Sequence, residues 1–165
     1  IRSNRVWARQ WNLTGEGEKV RNEGGQFWVL GMRAEKAGTM INTLARGRSE
    51  LLGGLCVASS GYKLDPMFSI TDASATLFAG ETSLGGNPFS TIVAETRGAQ
   101  VRRLTSKGLG PEAQLPDRVG GRALPLYLGY SGPGAIPPRG NAEPKPAAAK
   151  TKVEADPLDF SKPEK

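Results

Sequence analysis

Val6-Trp7-Ala8, Trp28-Val29-Leu30 and Glu50-Leu51-Leu52 are three short apolar runs whose first residues lie 22 positions apart. A fixed interval of that size marks a repeat architecture, in which each unit buries its apolar face only by stacking on its neighbours. Two further steps of the same length land on Asp72-Ala73-Ser74 and Ala94-Glu95-Thr96, in stretches that again read as strand. A second series of β-like segments lies between the runs. Lys19-Val20-Arg21, Met40-Ile41-Asn42-Thr43, Met67-Phe68-Ser69-Ile70 and Thr91-Ile92-Val93-Ala94-Glu95 each precede another strand across a corner. Those corners carry Gly, Asn or Asp, residues that accept the backbone angles of tight turns. No stretch has the i, i+3, i+4 spacing of a long amphipathic helix.

Short strands at even spacing fit a sandwich or barrel as well as a solenoid. The asymmetry of the unit favours the coil, because each repeat reads strand, corner, strand and a looser loop. The leucine and asparagine ladder of a leucine-rich repeat is missing. The expectation is an all-β parallel β-helix with Val6–Gln10, Trp28–Met32 and Leu51–Leu55 stacked in parallel. At about 4.8 Å per coil, four or five coils make a stub on the order of 20–25 Å long.

Periodicity does not decide which side chains face inward, since a slip of one residue exchanges the two faces of a strand. In the first strand Arg5, Trp7, Arg9 and Trp11 alternate on one face, and Val6, Ala8 and Gln10 on the other. On an outer face the first set makes a basic and aromatic surface suited to cation–π contacts or to the rim of a partner interface.

Certain phrases carry a family likeness. They are Asn4-Arg5-Val6-Trp7-Ala8-Arg9-Gln10-Trp11-Asn12, Asn22-Glu23-Gly24-Gly25-Gln26-Phe27-Trp28-Val29-Leu30-Gly31, Ser49-Glu50-Leu51-Leu52-Gly53-Gly54 and Glu95-Thr96-Arg97-Gly98. Over about residues 4–105 the chain resembles the C-terminal coils of pectate-lyase-like β-helix proteins found in bacterial surface and polysaccharide contexts. The resemblance implies a right-handed parallel β-helix and an extracytoplasmic setting, in the periplasm or at the cell surface. It also implies that a catalytic groove, where the family has one, lies along earlier coils. Polygalacturonase-like members use Asn-Thr-Asp, Asp-Asp, Gly-His-Gly and Arg-Ile-Lys, of which Ile70-Thr71-Asp72 is only a partial echo. Calcium-dependent lyases cluster aspartates, whereas Asp65 and Asp72 stand alone in this region.

Other chemistry is limited by composition. The chain has no histidine and a single cysteine, Cys56. That removes histidine-based nucleophilic triads and most zinc sites. Glu35, Glu50 and Glu95 recur beside strand ends, where an arginine or a corner amide is the expected partner. No catalytic, cofactor-binding or metal-binding residue is assigned. The net charge is +6, carried largely by arginines of the first fifty residues, and no nucleic-acid motif accompanies it. No window approaches the roughly 20 apolar residues of a transmembrane helix.

The C-terminal part differs in kind. Residues 131–165 hold seven of the 12 prolines, and Ala142–Lys152 is nearly all Ala, Pro, Lys and Glu. Such a segment offers too little apolar area to offset the entropy of ordering. Three regions are therefore expected: coils over 1–105, an extended docking segment over 106–130, and a Pro/Ala/Lys-rich tail over 131–165. The tail is expected to run extended, to touch residues 4–105 little and to lie against another chain. Leu124, Tyr127 and Tyr130 in the second region, and Leu158 and Phe160 in the third, are the candidate partner contacts. The function expected is that of a non-catalytic accessory subunit of a larger protein assembly, with acidic polysaccharide as a second partner class. The competing expectation is the C-terminal end of a polysaccharide-degrading enzyme whose active site lies upstream.

Overall fold

The computed structural model describes residues 1–2, 4–59, 66–84, 88–114 and 121–130. The coil segments are β1 (Arg5–Leu13), β2 (Val20–Glu23), β3 (Gln26–Glu35), β4 (Ile41–Leu44), β5 (Arg48–Ala58), β6 (Phe68–Thr71), β7 (Ser74–Ser83) and β8 (Thr91–Arg97). Two strands follow, β9 (Gln100–Thr105) and β10 (Arg122–Tyr130), with short 3-10 turns at Ser106–Leu109 and Pro111–Ala113 between them. A long sheet has the order β1-β3-β5-β7-β10 and a short sheet the order β2-β4-β6-β8-β9. All pairs from β1 to β8 are parallel. Alternating the two sheets along the chain gives a β-solenoid of about four turns, as the repeat implied.

The stacking register departs from a strict 22-residue step. Trp7 pairs with Trp28, Trp28 with Glu50 and Glu50 with Thr76, so the step is 21, then 22, then 26 residues. Asp72 is a corner with φ 44°, and Ala94-Glu95-Thr96 lies in β8 of the short sheet. The difference arises because corners and loops absorb extra residues, while the buried ladder must keep its parity.

That ladder is the core. Across the long sheet Ala8, Val29, Leu51 and Leu77 stack in register, and so do Trp11, Met32, Gly54 and Ala79. Val20, Ile41, Phe68 and Val93 face them from the short sheet. Phe27, Leu51, Phe68, Ile70 and Leu77 are almost fully buried. Burying a side chain of that size contributes about 1.5–3 kcal/mol. Asn22 is buried at a corner with its polar groups satisfied: its amide donates to the Arg48 carbonyl at 3.0 Å and to Ser49 Oγ at 2.9 Å. Its side-chain oxygen accepts from the Gly25 amide at 3.1 Å.

The in–out alternation of the long sheet breaks where Gln10, Gly31 and Gly53 stack, each with positive φ (50°, 76° and 80°). One residue in the left-handed region adds a position to the strand and reverses the in–out alternation beyond it. Glycine takes that conformation at little cost. Gln10 takes it because its neighbours in the stack already do.

The end of the solenoid corrects two expectations. Gln100–Thr105 is not a further coil but an antiparallel return strand on β8. Within the region 106–130, expected to be an extended docking segment, Arg122–Tyr130 is instead a strand of the chain's own long sheet, folded back antiparallel onto β7. Apolar residues in alternation supply one buried face, and the last coil has an open edge to receive it. The Pro/Ala/Lys-rich tail, with Leu158 and Phe160, lies outside the described residues.

Candidate interaction surface

Alternation along the strands sends one set of side chains into the core and the other outward, and the outward set of the long sheet is unusual. Parallel register aligns it into three ladders. Arg5, Gln26, Arg48 and Ser74 form one; Trp7, Trp28, Glu50 and Thr76 the second; Arg9, Leu30, Leu52 and Phe78 the third. The closing strand extends the band, with Leu128 opposite Thr76 and the bulge between Leu124 and Tyr127 carrying Leu126 beside Phe78. Trp7 is 67% exposed and Phe78 50%, and Leu30, Leu52, Leu126 and Leu128 are likewise exposed. Solitary surface hydrophobes need no explanation, but a band of them is a candidate interaction surface.

Trp7 and Trp28 stack across neighbouring strands with ring centroids 5.1 Å apart and planes 8° from parallel. Below them a concavity of about 480 Å³ is lined by Arg9, Leu30, Glu50 and Leu52. Arg5, Arg9 and Arg48 edge the surface, and none forms an ion pair with another described residue. The face thus combines exposed apolar side chains with Arg5, Arg9 and Arg48 and with one carboxylate, Glu50, on its middle strand.

Arg5, Trp7 and Arg9 share this face as the alternation implied. Trp11 does not. The positive-φ residue Gln10 turns it inward, where its ring meets Phe27 edge-on at a centroid distance of 5.8 Å. Leu124 and Tyr127 make their described contacts within the chain. Leu124 is 2% exposed and packs into the chain's own core, opposite Ala79. Tyr127 donates from its hydroxyl to Glu95 at 2.8 Å, and burial raises its pKa well above the usual phenol range, with the carboxylate adding to the shift. Tyr130 pairs with Ser74 through the backbone. Trp28, Leu30, Leu52 and Phe78 escaped the sequence reading, whereas Leu126 and Leu128 lie in the stretch it expected to dock. The signal that could have found them was the alternation within Trp28-Val29-Leu30, once its parity was known.

Several carboxylates of the described residues are paired within the chain. Arg33 Nε donates to Glu35 at 2.8 Å and Arg97 Nε to Glu95 at 2.7 Å. Glu81, not singled out by sequence, is 1% exposed. It accepts from the Phe89 amide and from Arg122, each at 3.1 Å. Burial raises its pKa; the Phe89 hydrogen bond and the Arg122 charge oppose the shift. Burial likewise pushes the Cys56 thiol up to about 12, with the Glu81 charge adding to it. Among the described residues no group of three or more metal-ligating side chains occurs, and no helix is long and apolar enough to cross a membrane.

No family model, no curated protein and no solved structure matches the chain.

Proposed function

We propose that this chain is a non-catalytic interaction subunit: the end of a β-solenoid that presents the outer face of its long sheet to a protein partner in a larger extracytoplasmic assembly. The observation that carries this reading is the band of exposed apolar side chains from Trp7 to Leu128, accompanied by Arg5, Arg9 and Arg48. Water-exposed apolar area of this kind is costly unless another surface covers it. Aromatic and arginine side chains are also the types enriched at protein interfaces. The likeness of residues 4–105 to pectate-lyase-like β-helix proteins supports the extracytoplasmic setting. Acidic polysaccharide is the other partner class compatible with Arg5, Arg9 and the tryptophan stack.

The test is isolation of the native chain and of a Trp7→Ala/Leu52→Glu form from the same source, with the mass of each assembly measured. The native chain is expected in a stoichiometric complex and the variant as a free subunit. A variant that stays fully assembled overturns the reading. The rival function, the end of a polysaccharide-degrading enzyme, is tested by incubating the chain with acidic polysaccharides. Turnover would displace the interaction role.

A further inference from the structure

The outer face of the long sheet is laid out so that it can match itself. Leu30, Leu52, Phe78 and Leu126 form one row across the strands, with Arg9 at its β1 end. The neighbouring row holds Trp7, Trp28, Glu50, Thr76 and Leu128. A two-fold axis parallel to the strands lays each row of one copy against the same row of another. Two twisted sheets pack well with their strands nearly aligned and their faces about 10 Å apart. With the axis between β5 and β7, Leu52 meets Phe78 of the second copy, Leu30 meets its Leu126 and Trp28 its Leu128. Arg5 and Arg9 then fall outside the overlap, where a polar rim stays in water.

Charge favours the same arrangement. Arg48 and Glu50 have no ion-pair partner among the described residues. In a two-fold contact, a residue that meets another is answered by the reciprocal meeting. The axis between β5 and β7 sets Arg48 opposite Ser74 of the second copy, one strand and one row from its Glu50. That offset is about 8 Å along the face, a gap that extended arginine and glutamate side chains close, and the symmetric pair forms with it. An axis on β3 would set Arg5 against Arg48, and one on β5 would set Glu50 against itself. Both bring like charges together, which is costly. An axis between β3 and β5 leaves Leu126 and Leu128 uncovered. Area is sufficient as well. Leu30, Leu52, Phe78, Leu126 and Leu128 are each 41–59% exposed. With their polar neighbours and Trp28 they offer roughly 700 Å² per copy, against about 800 Å² per partner in a stable interface.

We propose that the occupant of this face is a second copy of the chain, related by a two-fold axis parallel to the strands and fastened by two Arg48–Glu50 pairs. The inference rests on the reading of the face as a docking surface, and names its partner.

The experiment uses the full chain. At micromolar concentration it is expected to sediment with the mass of two 17.5 kDa chains. Arg48→Glu and Glu50→Arg each place like charges in both pairs, and each should weaken the dimer by at least about tenfold. Mixing the two variants should restore it, because every pair across the axis is then of opposite sign. A chain that is monomeric at every concentration overturns the inference. So does a dimer indifferent to both reversals, or a mixture no tighter than its components. The two proposals fail separately. A monomer, with loss of assembly in the Trp7→Ala/Leu52→Glu form, removes only the second copy and makes a different protein the occupant. A dimer restored by mixing, with assembly retained in that form, removes the docking role in the larger assembly and leaves the self-contact.

Discussion

The first and last described strands of the long sheet are bounded differently. At the C-terminal end β9 and β10 fold back antiparallel on the last strands of both sheets. They bring polar groups over the end of the core: Arg122 meets Glu81, and Tyr127 meets Glu95. At the N-terminal end β1 is an edge of the long sheet, and Val6, Ala8, Trp11 and Leu13 are only partly buried against the core. A stack of coils buries its core only between neighbours. Closing an end therefore needs strands that break the parallel pattern, and this chain spends its last described strands on that task.

The largest expected effect tests this asymmetry directly. Leu124→Ala at the closed end should cost about 2–5 kcal/mol, as large-to-small changes in a packed core do. Leu13→Ala in the edge strand β1 should cost only about 1 kcal/mol, because its side chain is only partly buried. Urea unfolding midpoints of the two variants decide the matter. Equal losses would mean that the N-terminal edge is as well covered as the other.

A smaller effect concerns the link between the sheets at the closed end. Tyr127→Phe removes the hydroxyl donated to Glu95 and should destabilise by about 1–2 kcal/mol in the same unfolding assay. No loss would show that this hydrogen bond plays no part in fastening β10.

The pH response sharpens the same comparison, since Glu81 belongs to the closed end alone. Its native pKa is raised by burial, so folding favours its protonated form. The stability it contributes is complete below the ordinary carboxylate pKa and is lost as pH rises through the higher native value. Wild-type stability relative to Glu81→Gln should therefore increase as neutral solution is acidified toward the carboxylate range. Unfolding measured at a series of pH values checks it, and a difference that stays flat or falls on acidification would reverse the assignment.

The smallest effect is at the N-terminal edge. Arg2 meets Glu23 at 3.2 Å with the arginine side chain 85% exposed. Exposed pairs of this kind contribute little, and Arg2→Ala should change stability by no more than about 0.5 kcal/mol. A larger loss would make the N-terminal edge a structured boundary.

The fold class was legible because its cause is repetitive and local. Apolar runs near 22 residues apart, with glycine-bearing corners and no helical spacing, leave few alternatives to stacked coils. That Arg5, Trp7 and Arg9 share one face was legible from their alternation, although which face turns outward was not. Beyond Arg9 the reading fails at Gln10. Positive φ at a residue other than glycine is uncommon, and only the stack with Gly31 and Gly53 makes it the favoured conformation there, turning Trp11 inward. Leu124 and Tyr127 were misplaced for a different reason. Their apolar alternation shows that they need a surface, and whether that surface belongs to the same chain depends on an edge strand some fifty positions earlier in sequence.

Sequence alone thus determined the kind of structure: strands, corners, a repeat and a C-terminal composition unlike the rest. Tertiary structure decided the parity of each strand, the fold-back of β9 and β10, and the alignment of Trp7, Trp28, Leu30, Leu52 and Phe78 into one surface. Repeat length and residue preference are local properties of the chain. Parity, closure and lateral register are fixed only when distant strands share hydrogen bonds and a core.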